Sequence, residues 1–590
     1  MRVIRLFLLA VMLCVTLTAQ AARRPNILLI LTDDQGFGDI TSHGNPDVAT
    51  PVLDQLANDG TRFDRFYVSP VCAPTRASLL TGRYALRTGV FDVTRGKETM
   101  AASELTLAEA LKSAGYRTGA FGKWHNGRYM PNHPNGQGFD EFIGFCGGHW
   151  QRYFDANLEH NGQPMDTHGY IADVLTEAAM DFMRSNKDQP FFCYVPFNTP
   201  HSPWRVPEKW WQRHAGSDLD LQARCAYAMV ENIDWNVGRM LKLLADLKLA
   251  DDTIVLFLSD NGANSDRYNA GMKGRKGSVD EGGSRVPLFV RWPGHIPAGR
   301  TVKEIAAHID LLPTLLELCD VKKPNGQPLD GISLAGIVRG QPVKPLNRML
   351  FTDGYRGDVK RLKGAVRTQR WRAVLNKNRW SLYDMVADPG QKQDLAQRNP
   401  DELKRFQEAF TEWFDGTGAT GLGYHPAPIG HPARDSYTLP AHEADLRPGH
   451  GKGIAYTGSP AGFSNNWIQD WTDPAAFAEW ELDVLSAGRY RVAIRHNLAA
   501  ENVGTRFAVD FGDGRQVERT LDHPFYMPLV AKPNRILPAD GYEEKAAWTW
   551  TDLGDVQLPQ GHVHMRARAL TIPGPQTIEL KAVRLTPIKP

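Results

Sequence analysis

Two pairs of adjacent oxygen donors are the first residues in this chain that could do chemistry. Asp33-Asp34 follows the apolar run NILLILT, and Asp260-Asn261 follows DTIVLFLS. Oxygen-only donors suit a hard divalent cation, calcium or magnesium, rather than zinc. Either pair alone reads as a cap on the turn that follows, whereas two pairs after strands of one sheet favour a ligand set. A second group is cationic or imidazole: Arg76, Lys123 and His125 in GKWHNG, His201 in NTPHSP, and Lys276 in GRKGSVDEGG. In loops rich in glycine and proline such side chains can line an anion pocket. Cys72 stands apart in VCAPTRASLLTGR, with no second cysteine near enough for a CxxC pair.

These residues need elements to hold them. From Pro25 to about residue 340, short apolar runs alternate with stretches of helical periodicity. NILLILTDD, QPFFCYVPFN and DTIVLFLSDN read as buried strands. TPVLDQLANDG, SELTLAEALKSAG and ADVLTEAAMDFMRSN read as helices. Alternation of this kind predicts an α/β domain with a largely parallel sheet, whose functional residues gather beyond the carboxyl ends of the strands. Asp33-Asp34, Asn198 to His201 and Asp260-Asn261 all fall there.

The rest of the chain changes texture. Residues 346–416 read as several antiparallel strands, a turn at Asp388-Pro389-Gly390, and an amphipathic helix from about Pro400 to Phe414. A Gly/Pro-rich linker is expected over 417–433. Residues 434–590 read as all-β, a sandwich or jelly roll of short alternating strands. No aromatic platform can be picked out there from sequence, so packing against the rest of the chain is expected before glycan binding.

Composition bounds the function. The 590 residues are 42% hydrophobic and 23% charged, enough for a large core. A net charge of +2 argues against a nucleic-acid binder that works through bulk electrostatics. Residues 1–21 carry Arg2 and Arg5, an apolar stretch and a small-x-small end, Ala19-Gln20-Ala21. They read as a cleavable signal peptide, so a secreted or periplasmic location with no stable membrane span is expected; an N-terminal anchor helix is the alternative. Six cysteines are too sparse for a disulfide scaffold. Cys146, Cys193, Cys225 and Cys319 fit buried free thiols at least as well as pairs.

CAPTRASLLTGR resembles the sulfatase signature, a C-x-P-x-R core with a Leu-Thr-Gly-Arg end. Other parts of that family's pattern follow in order: NILLILTDDQGFGD, TPVLDQLANDGTRFDRFYV, GKWHNG with Asn126 where Leu is common, PFNTPHSP, LFLSDNG, KGRKGSVDEGGSRVPLFVRWPG and SLYDMVADPGQKQDLA. The resemblance covers about residues 24 to 415. It implies an alkaline-phosphatase-like central sheet flanked by helices over 22–345, a small α+β subdomain over 346–416, and the sandwich as an appended domain.

In such sulfatases the signature cysteine is oxidised to Cα-formylglycine by a formylglycine-generating or anaerobic sulfatase-maturing enzyme. The resemblance therefore implies that Cys72 does not act as a thiol. It places calcium on Asp33, Asp34, Asp260 and Asn261, with residue 72 as a further ligand. Arg76 would orient the modified residue, Lys123 and Lys276 would neutralise sulfate oxygens, His201 (or Lys276 beside it) would serve the leaving alcohol, and His125 would take a proton as sulfate departs.

The expected substrate is a sulfated carbohydrate. Trp150 could stack on a sugar or belong to the core, Arg152 could bind a hydroxyl or a second anion or face solvent, and Arg267, in an insertion after the metal residues, could add a contact. Asn126 could bear on substrate preference. Two other functions share much of this pattern. One is a phosphonate monoester or phosphodiester hydrolase of the same superfamily. The other is a catalytically dead glycan-binding protein, which the intact set of metal and signature residues disfavours.

Overall fold

The structure, a computed structural model, describes residues 24–342, 344–354, 359, 363–420, 422–423, 425–530 and 544–589. The expected signal peptide lies outside the described residues.

The central sheet has ten strands. From one edge they are Arg300–Val302, Thr61–Phe63, Leu288–Arg291, Thr253–Ser259, Asn26–Thr32, Phe191–Pro196, Arg117–Lys123, Glu141–Phe145, Asn157–His160 and Gln163–Asp166. The run from Thr253–Ser259 to Glu141–Phe145 is parallel throughout, and the flanks add antiparallel pairs, so the sheet is mixed. Asn26–Thr32 shows why it is central. Ile27, Leu29 and Leu31 enter the core on one face while Leu28 and Ile30 enter the core on the other, the period-2 pattern of a strand buried on both sides.

The helices cover both faces. Pro51–Asn58 starts on its proline, and Leu107–Ser113 is fixed by a capping box between Thr106 and Glu109. Ile171–Ser185 buries Leu175, Ala179, Phe182 and Met183 on the sheet. Beyond this lies a four-stranded antiparallel sheet, Leu350–Asp353, Lys363–Arg367, Trp371–Asn376 and Arg379–Asp384. The helix Pro400–Gly416 packs Phe406, Phe410, Trp413 and Phe414 beside it, close to the predicted bounds.

Two further sheets sandwich a core that includes Trp471, Trp480, Phe507 and Leu585. Ala427–Ile429, inside the stretch expected as linker, is already a strand of the sandwich and pairs with Phe477–Val484. The described cysteines, Cys72, Cys146, Cys193, Cys225 and Cys319, are all buried and free.

Candidate active site

The site forms where the parallel strands end. Asp33 and Asp34 follow Asn26–Thr32, Lys123 closes Arg117–Lys123, and Asp260 follows Thr253–Ser259. Opposite them, the fully buried helix Cys72–Thr81 presents residue 72 from its first turn and Arg76 one turn on. Arg76 ties three chain segments together. Its Nε and Nη2 donate to Asp260 Oδ2 at 3.1 and 2.7 Å, and Nη1 donates to the Lys123 carbonyl at 2.7 Å.

The two lysines complete a charge lattice. Lys123 Nζ meets Asp33 Oδ2 at 2.7 Å, and Lys276 Nζ meets Asp34 Oδ1 at 2.6 Å. Burial would raise the Asp33 carboxyl, but Lys123, His201 and Arg76 outweigh it and hold the group well below the usual range. Burial likewise acts on Asp34 and is outweighed by His201 and Lys276. Asp260 goes the other way: burial and the adjacent Asp33 push it up to about 7 against the pull of Arg76.

Lys276 is held from behind. Glu281 accepts from Tyr67, Arg367 and Arg372 at 2.8, 2.9 and 3.1 Å, pinning the loop 276–284 to the small C-terminal sheet.

The imidazoles are oriented by carbonyls. His125 Nε2 donates to Val93 O at 2.9 Å, which leaves Nδ1 a buried lone pair without a partner. Burial, then Lys123, hold His125 well below its ordinary range, so it is a neutral base. His201 Nδ1 donates to Ser202 O at 2.6 Å, and Nε2 faces Asp34 Oδ2 at 3.4 Å. Asp34 and His125 both adopt left-handed backbone, φ 68° and 63°, a conformation that collects at functional sites.

A divalent cation fits the donor set. Asp33 Oδ1, Asp34 Oδ2 and Asn261 Oδ1 are buried without a hydrogen-bond partner. Ligand atoms of Asp33, Cys72 and Asp260 lie within 4.8 Å of one another. Unpaired buried oxygens converging on one point are costly unless a cation takes them.

The structure brings together Asp33, Asp34, Cys72, Arg76, Lys123, His125, Asp260, Asn261, His201 and Lys276. Two sequence expectations change, at Arg267 and Asn126. Arg267 has no exposed side-chain surface. Its guanidinium closes on Asp39 at 2.6 Å and on the Asp34 carbonyl at 2.8 Å, so it braces the metal loop and cannot touch a substrate. Asn126 is buried and donates to Ala73 O at 3.1 Å, supporting the first turn of the Cys72 helix rather than selecting substrates. Trp150 is half-buried, stacks on Phe145 at 4.9 Å and packs against the core, a structural place rather than an open sugar platform. Arg152 pairs with Glu544 of the sandwich at 3.0 Å.

Sequence reasoning missed His149 and Tyr153. Tyr153 donates to the His201 carbonyl at 2.8 Å, and the His149 ring meets His201 edge-on at 4.7 Å. The signal was Gly147-Gly148 just before His149. A Cβ on Gly148 would come within 2.3 Å of His125 Nε2, so the loop lies directly on the site.

The comparisons with known proteins agree with this geometry. The sulfatase family profile matches residues 25–321, and the profile for the C-terminal part of N-sulphoglucosamine sulphohydrolase matches residues 275–412. The chain belongs to the sulfatase family and is a sulfuric ester hydrolase of the alkaline phosphatase superfamily. It is 34% identical to human arylsulfatase A over 410 residues, which is 62% of this chain and 78% of that one. It is 33% identical to N-acetylgalactosamine-6-sulfatase of Canis lupus familiaris over 384 residues, 58% of this chain and 70% of that one. Among solved structures, Ps i-CgsB in complex with k-i-k-neocarrahexaose is similar at 30% identity and TM-score 0.63, covering 68% of this chain and 95% of that one.

Proposed function

We propose that this sulfatase is exported and removes O-sulfate from a carbohydrate, using a formylglycine at position 72 and a calcium ion. The glycan reading rests on its relatives: one is an N-acetylgalactosamine-6-sulfatase, and one similar structure is in complex with k-i-k-neocarrahexaose. The observation that carries the chemistry is the place of residue 72: in the first turn of a fully buried helix, with its side-chain atom within 4.8 Å of carboxylate oxygens of Asp33 and Asp260.

Asp33, Asp34, Asp260 and Asn261 would hold the calcium, which when bound supplies a Lewis acid for a sulfate oxygen and for the side chain at 72. Formylglycine, made by a maturation enzyme, would supply a hydrated aldehyde that attacks sulfur and can later release it. The remaining work falls to this chain's own groups. Arg76, fixed on Asp260, holds the first helical turn in place. Lys123 and Lys276 set two positive charges where sulfate oxygens gain charge. The Lys276 ammonium, or His201 Nε2 when the ring is protonated against the pull of burial, would give a proton to the leaving alcohol, and His125 Nδ1 has a free lone pair to accept one.

The test pairs two measurements. Peptide mass spectrometry should find a carbonyl in place of the thiol at residue 72. The same preparation should release sulfate from sulfated galactose or N-acetylgalactosamine oligosaccharides faster than it cleaves an aryl phosphonate. A faster phosphonate reaction would favour the phosphonate hydrolase reading, whose structural support is a likeness of fold at 22% identity and TM-score 0.52.

A further inference from the structure

The outer face of one sandwich sheet carries cations that nothing in the site described above uses. Arg495 lies opposite Trp550 in the ladder between Gly488–Asn497 and Thr549–Leu558. Arg584, on Glu579–Pro587, lies opposite Ala493, two residues from Arg495 and so on the same face. The alternate residues Val492, Ile494, Val583 and Leu585 fill the sandwich core, so this face points away from it.

The aromatic and cationic groups interleave. The Arg584 guanidinium sits 4.1 Å from the Trp550 ring centroid, with Arg495 at 6.0 Å. Lys581 Nζ is 5.5 Å from Trp467 and 5.6 Å from Trp548. Among the described residues, Arg495 and Arg584 enter no ion pair, and Arg495 Nε is buried without a hydrogen-bond partner. Burial and the neighbouring Arg584 both pull Arg495 down. Two guanidiniums side by side and uncompensated are unfavourable unless an anion joins them.

This face runs into the active site. Lys581 Nζ donates to the Asn465 carbonyl. Asn465 Nδ2 donates to the His149 carbonyl at 3.5 Å, and the Phe463 ring packs on His149 at 4.8 Å. His149 in turn meets His201.

We propose that Arg495, Arg584, Trp548 and Trp550 form a subsite for an anionic stretch of the sulfated oligosaccharide whose sulfate ester is hydrolysed at the catalytic centre. The idea rests on the glycan reading above. Indoles offer faces to sugar rings, guanidiniums offer paired donors to sulfate, and the loop 463–465 joins the two places. The packing role expected of the sandwich is thereby extended to substrate binding.

The test uses the full chain carrying Arg495→Gln with Arg584→Gln, and separately Trp550→Ala. Each is assayed on 4-nitrophenyl sulfate and on carrageenan and chondroitin sulfate hexasaccharides. Hexasaccharide binding is measured by calorimetry in a Cys72→Ala background. The expected result is a KM for the preferred hexasaccharide raised about tenfold, with kcat and the aryl sulfate reaction unchanged. Unchanged hexasaccharide KM and affinity, or an equal loss on both substrate sizes in folded protein, would overturn the subsite. Should wild-type protein cleave only the aryl sulfate, the glycan reading fails, and the calorimetry alone then decides whether the face binds anionic sugar.

Discussion

Phe463 of the sandwich packs its ring on His149 of the catalytic region, with centroids 4.8 Å apart. His149 is thereby held between the sandwich on one side and His201 on the other. Burial, then His201 and Lys123, hold His149 well below its ordinary range, so it is neutral. The sandwich is therefore part of the wall of the active site. Phe463→Ala should lower kcat/KM for a small aryl sulfate by roughly tenfold to a hundredfold, since a catalytic group displaced by about 1 Å can cost about a hundredfold. Phe463→Leu, which keeps much of the volume, should recover most of the loss. Equal turnover in all three proteins would show that the contact does not position His201.

Asp260 shares its Oδ2 with two nitrogens of Arg76, and this governs how the metal site should be probed. Asp260→Ala strands a fully buried guanidinium, and breaking a buried pair costs about 3–5 kcal/mol. Asn261→Ala is cleaner. It removes a neutral donor whose Nδ2 contacts are Asp34 Oδ1 and the Gly262 carbonyl. Wild-type protein should carry about one calcium per chain by elemental analysis. Asn261→Ala should carry much less, with activity falling in proportion. A chelator should lower the melting temperature of wild type by several degrees and of the variant hardly at all. Stoichiometric zinc in active wild-type protein would refute the assignment.

Much of the site was legible because its donors sit next to strong local patterns. The apolar runs before Asp33 and Asp260 can only be buried strands, and a strand end places its next residues at the mouth of a parallel sheet. Arg267 was not legible. Its partner Asp39 lies 228 residues away in sequence, and an arginine in a polar insertion reads as a surface group until that carboxylate is found. Asn126 misled for a related reason, because its position beside Lys123 and His125 says nothing of the Ala73 carbonyl behind it. The Arg495, Trp550 and Arg584 array depends on the register of three strands, and a one-residue slip would turn any of them inward.

Buried neutral histidines weaken the fold in acid, and two of them illustrate the size of the effect. Burial lowers His308 to about 3 and His496 to about 4, one in the catalytic region and one in the sandwich. The unfolded chain protonates both near the ordinary value of about 6.5. Their contribution to stability is therefore complete above that value and is lost as pH falls from about 6.5 toward 4 and below. Each should remove on the order of 2 kcal/mol between pH 7.5 and 5. Denaturant melts across that range should show stability falling, with His308→Gln flattening part of the slope. A flat profile in wild type would contradict the buried neutral state.

The nucleophile offers the sharpest test. Residue 72 sits in the first turn of a buried helix, with its side-chain atom within 4.8 Å of carboxylate oxygens of Asp33 and Asp260. A formylglycine hydrate has one hydroxyl to attack sulfur and a second whose deprotonation expels sulfate and restores the aldehyde. The lone pair on His125 Nδ1 suits that proton. Serine has only the first hydroxyl. Cys72→Ser should therefore turn over at most once and accumulate a peptide at residue 72 heavier by one sulfate group, whereas Cys72→Ala should be inert and unmodified. Conversion in wild type should be incomplete in hosts with little maturation enzyme, and specific activity should scale with the converted fraction. Full turnover by protein whose residue 72 remains a thiol, or sustained turnover by Cys72→Ser, would remove the second hydroxyl from the mechanism and leave His125 Nδ1 without the proton assigned to it.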